Sequence, residues 1–157
     1  MRKNQRNIAT IFDRLNNDMD EENVTGLSNH KLKLLVIRDL LHLLNTSSYY
    51  YHHEEVLANE YTTSVINYGV SPISGKRVSE IDWAQVERNI EYAIKIFEPR
   101  ILKESLEVKC VLGSDIKAKY NQMNIEIKGL IKSTPFPERF VLYTHLDVET
   151  GNFKVAN

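Results

Sequence analysis

The stretch Phe97-Glu98-Pro99-Arg100-Ile101-Leu102-Lys103-Glu104-Ser105-Leu106-Glu107-Val108-Lys109-Cys110-Val111-Leu112 decides the fold class, because the apolar spacing changes inside it. Upstream, Val86, Ile90, Ala93, Ile94 and Phe97 recur at helical spacing and define one buried face. Downstream, Leu106, Val108, Cys110 and Leu112 alternate with Glu107 and Lys109, as the side chains of a half-buried strand do. Pro99 disfavours helical geometry at Glu98 and so ends the helix before the strands begin.

Working toward the C-terminus, Ile125 and Ile127 alternate with Glu126 and Lys128, and Phe140, Leu142, Thr144, Leu146 and Val148 alternate again. Glu149-Thr150-Gly151-Asn152 turns the chain into a short last strand, Phe153–Val155. Toward the N-terminus, Ser79 is the expected cap of the helix that ends at Phe97, with Glu80 and Asp82 near its positive end. Ser28 or Asn29 caps an earlier helix that runs to about Leu44, with Leu34, Ile37, Leu41 and Leu44 as its stripe, Leu40 widening it, and Asn45 at its end. Helices come first and strands follow. The expected architecture is α+β, with N-terminal helices packed on one face of a C-terminal, mostly antiparallel β-sheet.

The helices are joined by a polar and aromatic loop containing Tyr49-Tyr50-Tyr51-His52-His53, by one or two turns over residues 62–67 ending at Tyr68-Gly69, and by the connector Ser71-Pro72-Ile73-Ser74-Gly75. Residues 1–28 mix a basic start with the acidic cluster Asp18, Asp20, Glu21 and Glu22, and offer only Ile8, Ile11, Phe12 and Leu15 as a brief apolar stripe. They read as a flexible N-terminal arm, and residues 29–157 as a single domain.

The 157 residues have the length of one domain, and 42% hydrophobic with 26% charged residues gives the composition of an ordinary globular protein. Twenty Lys and Arg against 21 Asp and Glu leave a net charge of −1, which removes the broad attraction behind non-specific nucleic-acid binding, and no nucleic-acid partner is expected. Cys110 is the only cysteine, so an intrachain disulfide and a cysteine-based metal cluster are excluded and a cytoplasmic setting is expected. The basic start is not followed by the apolar segment of an export signal, and the longest apolar run, Leu34–Ile37, is far short of a membrane span.

Enzyme signatures fail one by one. His53-Glu54-Glu55-Val56-Leu57 starts like a zinc-binding His-Glu-x-x-His helix, but Leu57 stands where the second ligand belongs, and no metal or cofactor is expected. Ser74-Gly75-Lys76 lacks the upstream glycine and following hydroxyl of a phosphate loop, and no nucleophile elbow is present. What stands out is Phe97-Glu98-Pro99-Arg100-Ile101: proline stiffens the chain between opposite charges and holds them in set directions. Arg100 is then suited to a two-pronged contact with a partner's carboxylate, and Glu98 to a partner's basic group.

Leu40-Leu41, Leu44-Asn45-Thr46, Ser64-Val65-Ile66-Asn67-Tyr68-Gly69-Val70 and Ile90 through Phe97-Glu98-Pro99-Arg100-Ile101, in this order, resemble the contractile-tail baseplate wedge proteins, the family that includes TssE of the type VI secretion system. Phe140-Val141-Leu142 and Asp147-Val148-Glu149-Thr150-Gly151 resemble its closing hairpin, so the likeness covers roughly residues 30–155. Ile101 replaces the usual Leu after the Arg.

The resemblance implies a non-catalytic building block in the baseplate of a contractile injection machine. Its implied partners are wedge subunits of the TssF, TssG and TssK types and sheath subunits of the TssB and TssC types, in the cytoplasm near the inner membrane. Glu98, Pro99 and Arg100 match the family's Glu-Pro-Arg motif, which is implicated in that assembly. Tyr68 and Lys154 complete the expected partner-binding set, Lys154 because the last strand is expected to leave an uncovered edge for a sheath strand. The alternatives are a subunit of a phage tail or extracellular contractile particle, a lysozyme-like glycosidase with Glu54, Glu55, Glu60 or Glu98 as its acid, and an anti-adaptor binding protein.

Overall fold

The computed structural model describes Asn7, Thr10, Asp13 and residues 27–49, 63–111 and 122–156. Helix α1 spans Asn29–Leu44 and helix α2 spans Trp83–Phe97. Strands β1 (Glu107–Val111), β2 (Gln122–Ile131), β3 (Glu138–Asp147) and β4 (Asn152–Val155) follow. The strands form one antiparallel meander in the order β1-β2-β3-β4, with the helices over one face, as expected of this α+β sequence.

The register puts one face of each strand in the core. Met123, Ile125, Ile127 and Ile131 of β2 and Phe140, Leu142, Thr144 and Leu146 of β3 are buried, while Glu126, Lys128, Tyr143 and His145 share the opposite face. Gly129 marks a close approach: a Cβ there would stand 2.9 Å from Phe140 Cε1 and 3.5 Å from Ile101 Cγ2. The missing side chain is what lets Phe140 and Ile101 meet over β2. Each fully buried Ile or Leu of this core contributes about 1.5–3 kcal/mol.

Ser28 caps α1, its hydroxyl accepting the Lys31 N–H at 3.3 Å. The buried face is not the one centred on Leu34, Ile37 and Leu41. It is Leu32, Val36, Leu40, Leu43 and Leu44, whereas Leu34 is 54% exposed. Apolar residues fill so many positions of this helix that two overlapping stripes satisfy the helical period, and only packing on the sheet selects one. The cap of α2 is also corrected. Val78–Glu80 forms a separate 3₁₀ turn, Ile81 is extended, and Asp82 caps the helix by accepting the Gln85 N–H at 3.2 Å. Ser79 and Asp82 are both capping types one turn apart, and the extended Ile81 between them moves the start to the second.

Of the N-terminal arm, Asn7 accepts the Leu27 N–H through its carbonyl (2.8 Å) and donates through its side chain to Asn29 Oδ1 (2.8 Å), and Asp13 is buried. Phe12, Leu15, Tyr50–His53, Glu54, Glu55, Glu60 and Leu112 lie outside the described residues.

Candidate functional site

Backbone bonds on both sides fix the Glu98–Arg100 corner. Glu98 N–H donates to Ile94 C=O at 2.9 Å as the last bond of α2, and Ile101 N–H returns to Glu98 C=O at 3.2 Å. The sheet holds the other side: Lys132 N–H donates to Arg100 C=O at 2.7 Å, Leu102 N–H to Leu130 C=O at 2.9 Å, and Lys132 Nζ to Pro99 C=O at 2.7 Å. Ile101 pairs with Ile131 as an isolated antiparallel bridge and is buried. Proline fixes its own φ, excludes the helical region for Glu98, and leaves the two flanking side chains on one side of the corner.

The two-pronged contact expected with a partner is made inside the chain. Arg100 Nε donates to Glu98 Oε1 at 2.7 Å and Nη2 reaches Oε2 at 2.5 Å, while Arg100 N–H also donates to Oε1 at 3.2 Å. Glu98 is only 4% exposed. Arg100 Nη2 bonds Asp39 Oδ2 at 2.6 Å, and Asp39 Oδ1 accepts Arg38 Nε and Nη2 at 2.9 and 2.7 Å. Arg38 then grips Asp13, Nη1 to Oδ1 at 2.7 Å and Nη2 to Oδ2 at 3.0 Å, and Thr10 Oγ1 donates to Asp13 Oδ2 at 2.6 Å. Acid and base alternate from Glu98 through Arg100, Asp39 and Arg38 to Asp13, three carboxylates against two guanidiniums.

The electrostatics follow from this order. Burial works against the Arg100 charge, but Glu98 and then Asp39 more than reverse that and raise its pKa, so it stays cationic. The Arg38 bond holds the Asp13 carboxyl below the usual carboxylate range against the opposing effect of burial. Burial, and then the charges of Asp39 and Glu98, push the Tyr68 phenol up. One donor is left over. Arg100 Nη1 is buried and makes no hydrogen bond among the described residues.

Beside this cluster lies a cleft of about 420 Å³ over Leu40 and Leu43, walled by Tyr68, Phe97, Pro99, Arg100 and Thr10. Tyr68 and Phe97 meet edge to face with ring centres 5.3 Å apart. Tyr68 is held by its neighbour Gly69, whose φ is +126° and whose Cβ, if it had one, would lie 2.3 Å from the Thr46 carbonyl oxygen. Val70 N–H donates to Thr46 C=O and Ser48 N–H to Val70 C=O, tying this turn to the end of α1. The same turn leaves Val65 and Ile66 83% and 66% exposed.

The structure therefore brings Tyr68, Glu98, Pro99 and Arg100 together and leaves Lys154 apart, on β4, where it pairs in register with His145. The last strand's edge is not bare. Asn45 Oδ1 accepts the Phe153 N–H at 2.8 Å and Asn45 Nδ2 donates to Phe153 C=O at 3.0 Å. Backbone groups alternate in direction along an antiparallel strand, so with Phe153 facing outward the N–H of Lys154 faces β3. The sequence reading also missed Asp13, Arg38 and Asp39. Adjacent Arg38 and Asp39 on a helix look like solvated surface, and only the folded chain places Arg100 beside them.

Glycosidase chemistry finds little to work with here. Both Glu98 oxygens are taken by Arg100, and the other glutamates considered fall outside the described residues. Among the described residues no group of three His, Cys, Asp or Glu is placed to hold a metal ion. Fold and site define an α+β protein with an apolar cleft beside a locked Glu98–Arg100 pair. The family model of baseplate wedge protein gp25 matches residues 30–135, more than half of the chain, and the chain belongs to that family. The match takes in α1 from its second residue, every cleft residue but Thr10, the Glu98–Arg100 corner, β1 and β2, and stops short of β3 and β4. Curated proteins and solved structures give no match.

Proposed function

We propose that the protein is a non-catalytic structural component of a type VI secretion baseplate, joining wedge subunits of the TssF, TssG and TssK types to the first ring of TssB- and TssC-type sheath subunits and helping sheath assembly start. Family membership supports a component of a phage-like baseplate, and the finer assignment draws on the resemblance carried by Ser64–Val70 and Phe97–Ile101. The observation that carries the reading is the convergence of Tyr68, Glu98, Pro99 and Arg100 on one apolar cleft within the matched residues. A cleft with an aromatic wall, an aliphatic floor and a fixed charge at its rim suits an anchoring side chain from a partner subunit. Val65 and Ile66, on the turn that ends at Tyr68, are apolar side chains left exposed.

In this reading the protein works in the cytoplasm, in a baseplate near the inner membrane. No helix among the described residues is long and apolar enough to cross a membrane. The test is co-purification: tagged protein is expected to retain TssF- and TssG-type subunits from cells of the same machine, and a Tyr68→Ser variant to retain far less. Equal retention by both proteins contradicts the cleft as the binding site.

A further inference from the structure

Phe140 of β3 is buried, whereas Phe136, four residues earlier in the β2–β3 loop, is 76% exposed. The loop Lys132-Ser133-Thr134-Pro135-Phe136-Pro137 gives that ring a set direction. Each proline fixes its own φ, and Pro137 keeps Phe136 out of the helical region. Ser133 Oγ donates to the Phe136 carbonyl at 2.5 Å, and Thr134 N–H donates to Asn7 Oδ1 at 3.1 Å. Asn7 donates in turn to Asn29 Oδ1, so the loop is tied to the start of α1. An aromatic side chain presented on a braced loop loses little further freedom on binding, and that is the character of an interface anchor.

The surroundings of the loop are cationic. Lys33 Nζ donates to Arg139 C=O at 3.4 Å and Lys132 Nζ to Pro99 C=O at 2.7 Å, which brings both ammonium groups to this end of the sheet, and the Arg139 side chain is exposed at the start of β3. None of these three cations forms an ion pair among the described residues. Glu138 is the only carboxylate from residue 132 to residue 139. The first turn of α1 carries no acid, and His30 and Lys31 stand where the helix dipole is already positive.

We propose that the β2–β3 loop is a protein-docking element: Phe136 enters an apolar pocket on an acidic face of a partner protein, and Lys33, Lys132 and Arg139 meet the carboxylates at the rim of that pocket. Charge complementarity selects this occupant, because an acidic rim supplies the counter-charge that the chain itself does not place here. Lys33 and Lys132 each spend one donor on a carbonyl, and an ammonium group has two more to offer. A single ring held between prolines fits a pocket, whereas a lipid surface rewards an extended apolar face. The contact is separate from the cleft beside Tyr68 and does not depend on it.

The test places the photo-crosslinking residue p-benzoylphenylalanine at position 136 of the full chain, in the cells that produce it, and maps the adducts by mass spectrometry after irradiation. The expected product is an adduct to a segment of another protein flanked by Asp and Glu, reduced at least about tenfold when Arg139→Glu is added. Lys33→Glu is the second charge reversal, used if Arg139→Glu lowers the melting temperature. Phe136→Ser in the purified protein is expected to leave the melting temperature unchanged, because an exposed ring holds nothing in the fold. A clear drop makes Phe136 a structural residue and overturns the proposal. So does the lack of an adduct, an adduct indifferent to the charge reversals, an adduct to lipid or nucleic acid, or one confined to the chain's own acidic stretch Asp18–Glu22.

Discussion

Arg100 and Glu98 close on each other across Pro99, with Nε to Oε1 at 2.7 Å and Nη2 to Oε2 at 2.5 Å, and the carboxylate of that pair is buried. The arrangement turns a three-residue motif into a fixed object: Arg100 Nε and Nη2 are bonded within the chain, and Nη1 alone makes no hydrogen bond among the described residues. It also changes what mutation of the motif does. An exposed pair contributes about 0–1 kcal/mol, whereas a desolvated carboxylate left without its partner costs several times more.

Arg100→Ala is therefore expected to lower unfolding free energy by about 3 kcal/mol, near the low end for a buried pair because Arg100 keeps some exposure. Glu98→Ala is expected to cost clearly less, since Arg100 then retains Asp39. Urea unfolding of the three proteins at neutral pH checks the order. Equal losses, or none, show that the corner does not need the pair.

Asp13 ties the N-terminal residues to the same cluster, and its carboxyl is held below its ordinary value of 3.8 by Arg38. A depressed folded value means that the ionised form is favoured by folding. The stabilisation is full above the ordinary value and disappears as pH falls through the folded one. The acid side of the stability profile is expected to flatten in Asp13→Asn. An unchanged profile in urea melts taken from about pH 6 to about pH 2.5 contradicts the Asp13–Arg38 contact.

Gly69→Ala places a methyl group against the Thr46 carbonyl at a φ that side chains rarely adopt. A loss of at least about 2 kcal/mol is expected, with the Tyr68 wall of the cleft displaced. Gly75→Ala is the control: its φ is also positive, +82°, but nothing lies within 4 Å, so only backbone strain of about 1 kcal/mol is expected. Similar midpoints for the two variants in thermal melts rule out the Thr46 contact as the cause.

Cys110 lies on β1 against α2, where burial, and then Glu87, push its thiol pKa up to about 12. Almost no thiolate exists at pH 8, so alkylation by iodoacetamide is expected to be slow in the folded protein and rapid in urea. Comparable rates in both states contradict this environment.

The change from helical to alternating spacing around Pro99 carried the fold class, because strand and helix periods differ too much to confuse over that length. The strands followed their alternation closely, since a slip by one residue would have turned every buried Ile and Leu of β2 and β3 to solvent. Where spacing allowed two answers it could not choose, as with the Leu32–Val36–Leu40 and Leu34–Ile37–Leu41 faces of α1. At the site, Glu98, Pro99 and Arg100 were legible because a proline between opposite charges is a local device. Asp39, Arg38 and Asp13 were not, because contact between residues 61 apart, as Arg100 and Asp39 are, leaves no mark in local composition. The Asn45 contact with Phe153, 108 residues away, was hidden for the same reason behind an ordinary helix-ending asparagine.

The proposed seat for a wedge subunit is the cleft beside the Glu98–Arg100 pair. Its most direct measurement is capture of purified TssF–TssG-type complex by the full chain, wild type against Arg100→Lys, at a temperature well below both measured melting points. Lysine keeps the charge but not the two-pronged geometry. Wild type is expected to capture the complex, and Arg100→Lys, still folded, to capture it at least about tenfold more weakly, a difference of ~1.4 kcal/mol. Undiminished capture by Arg100→Lys together with Tyr68→Ser, or no capture by wild type, contradicts it.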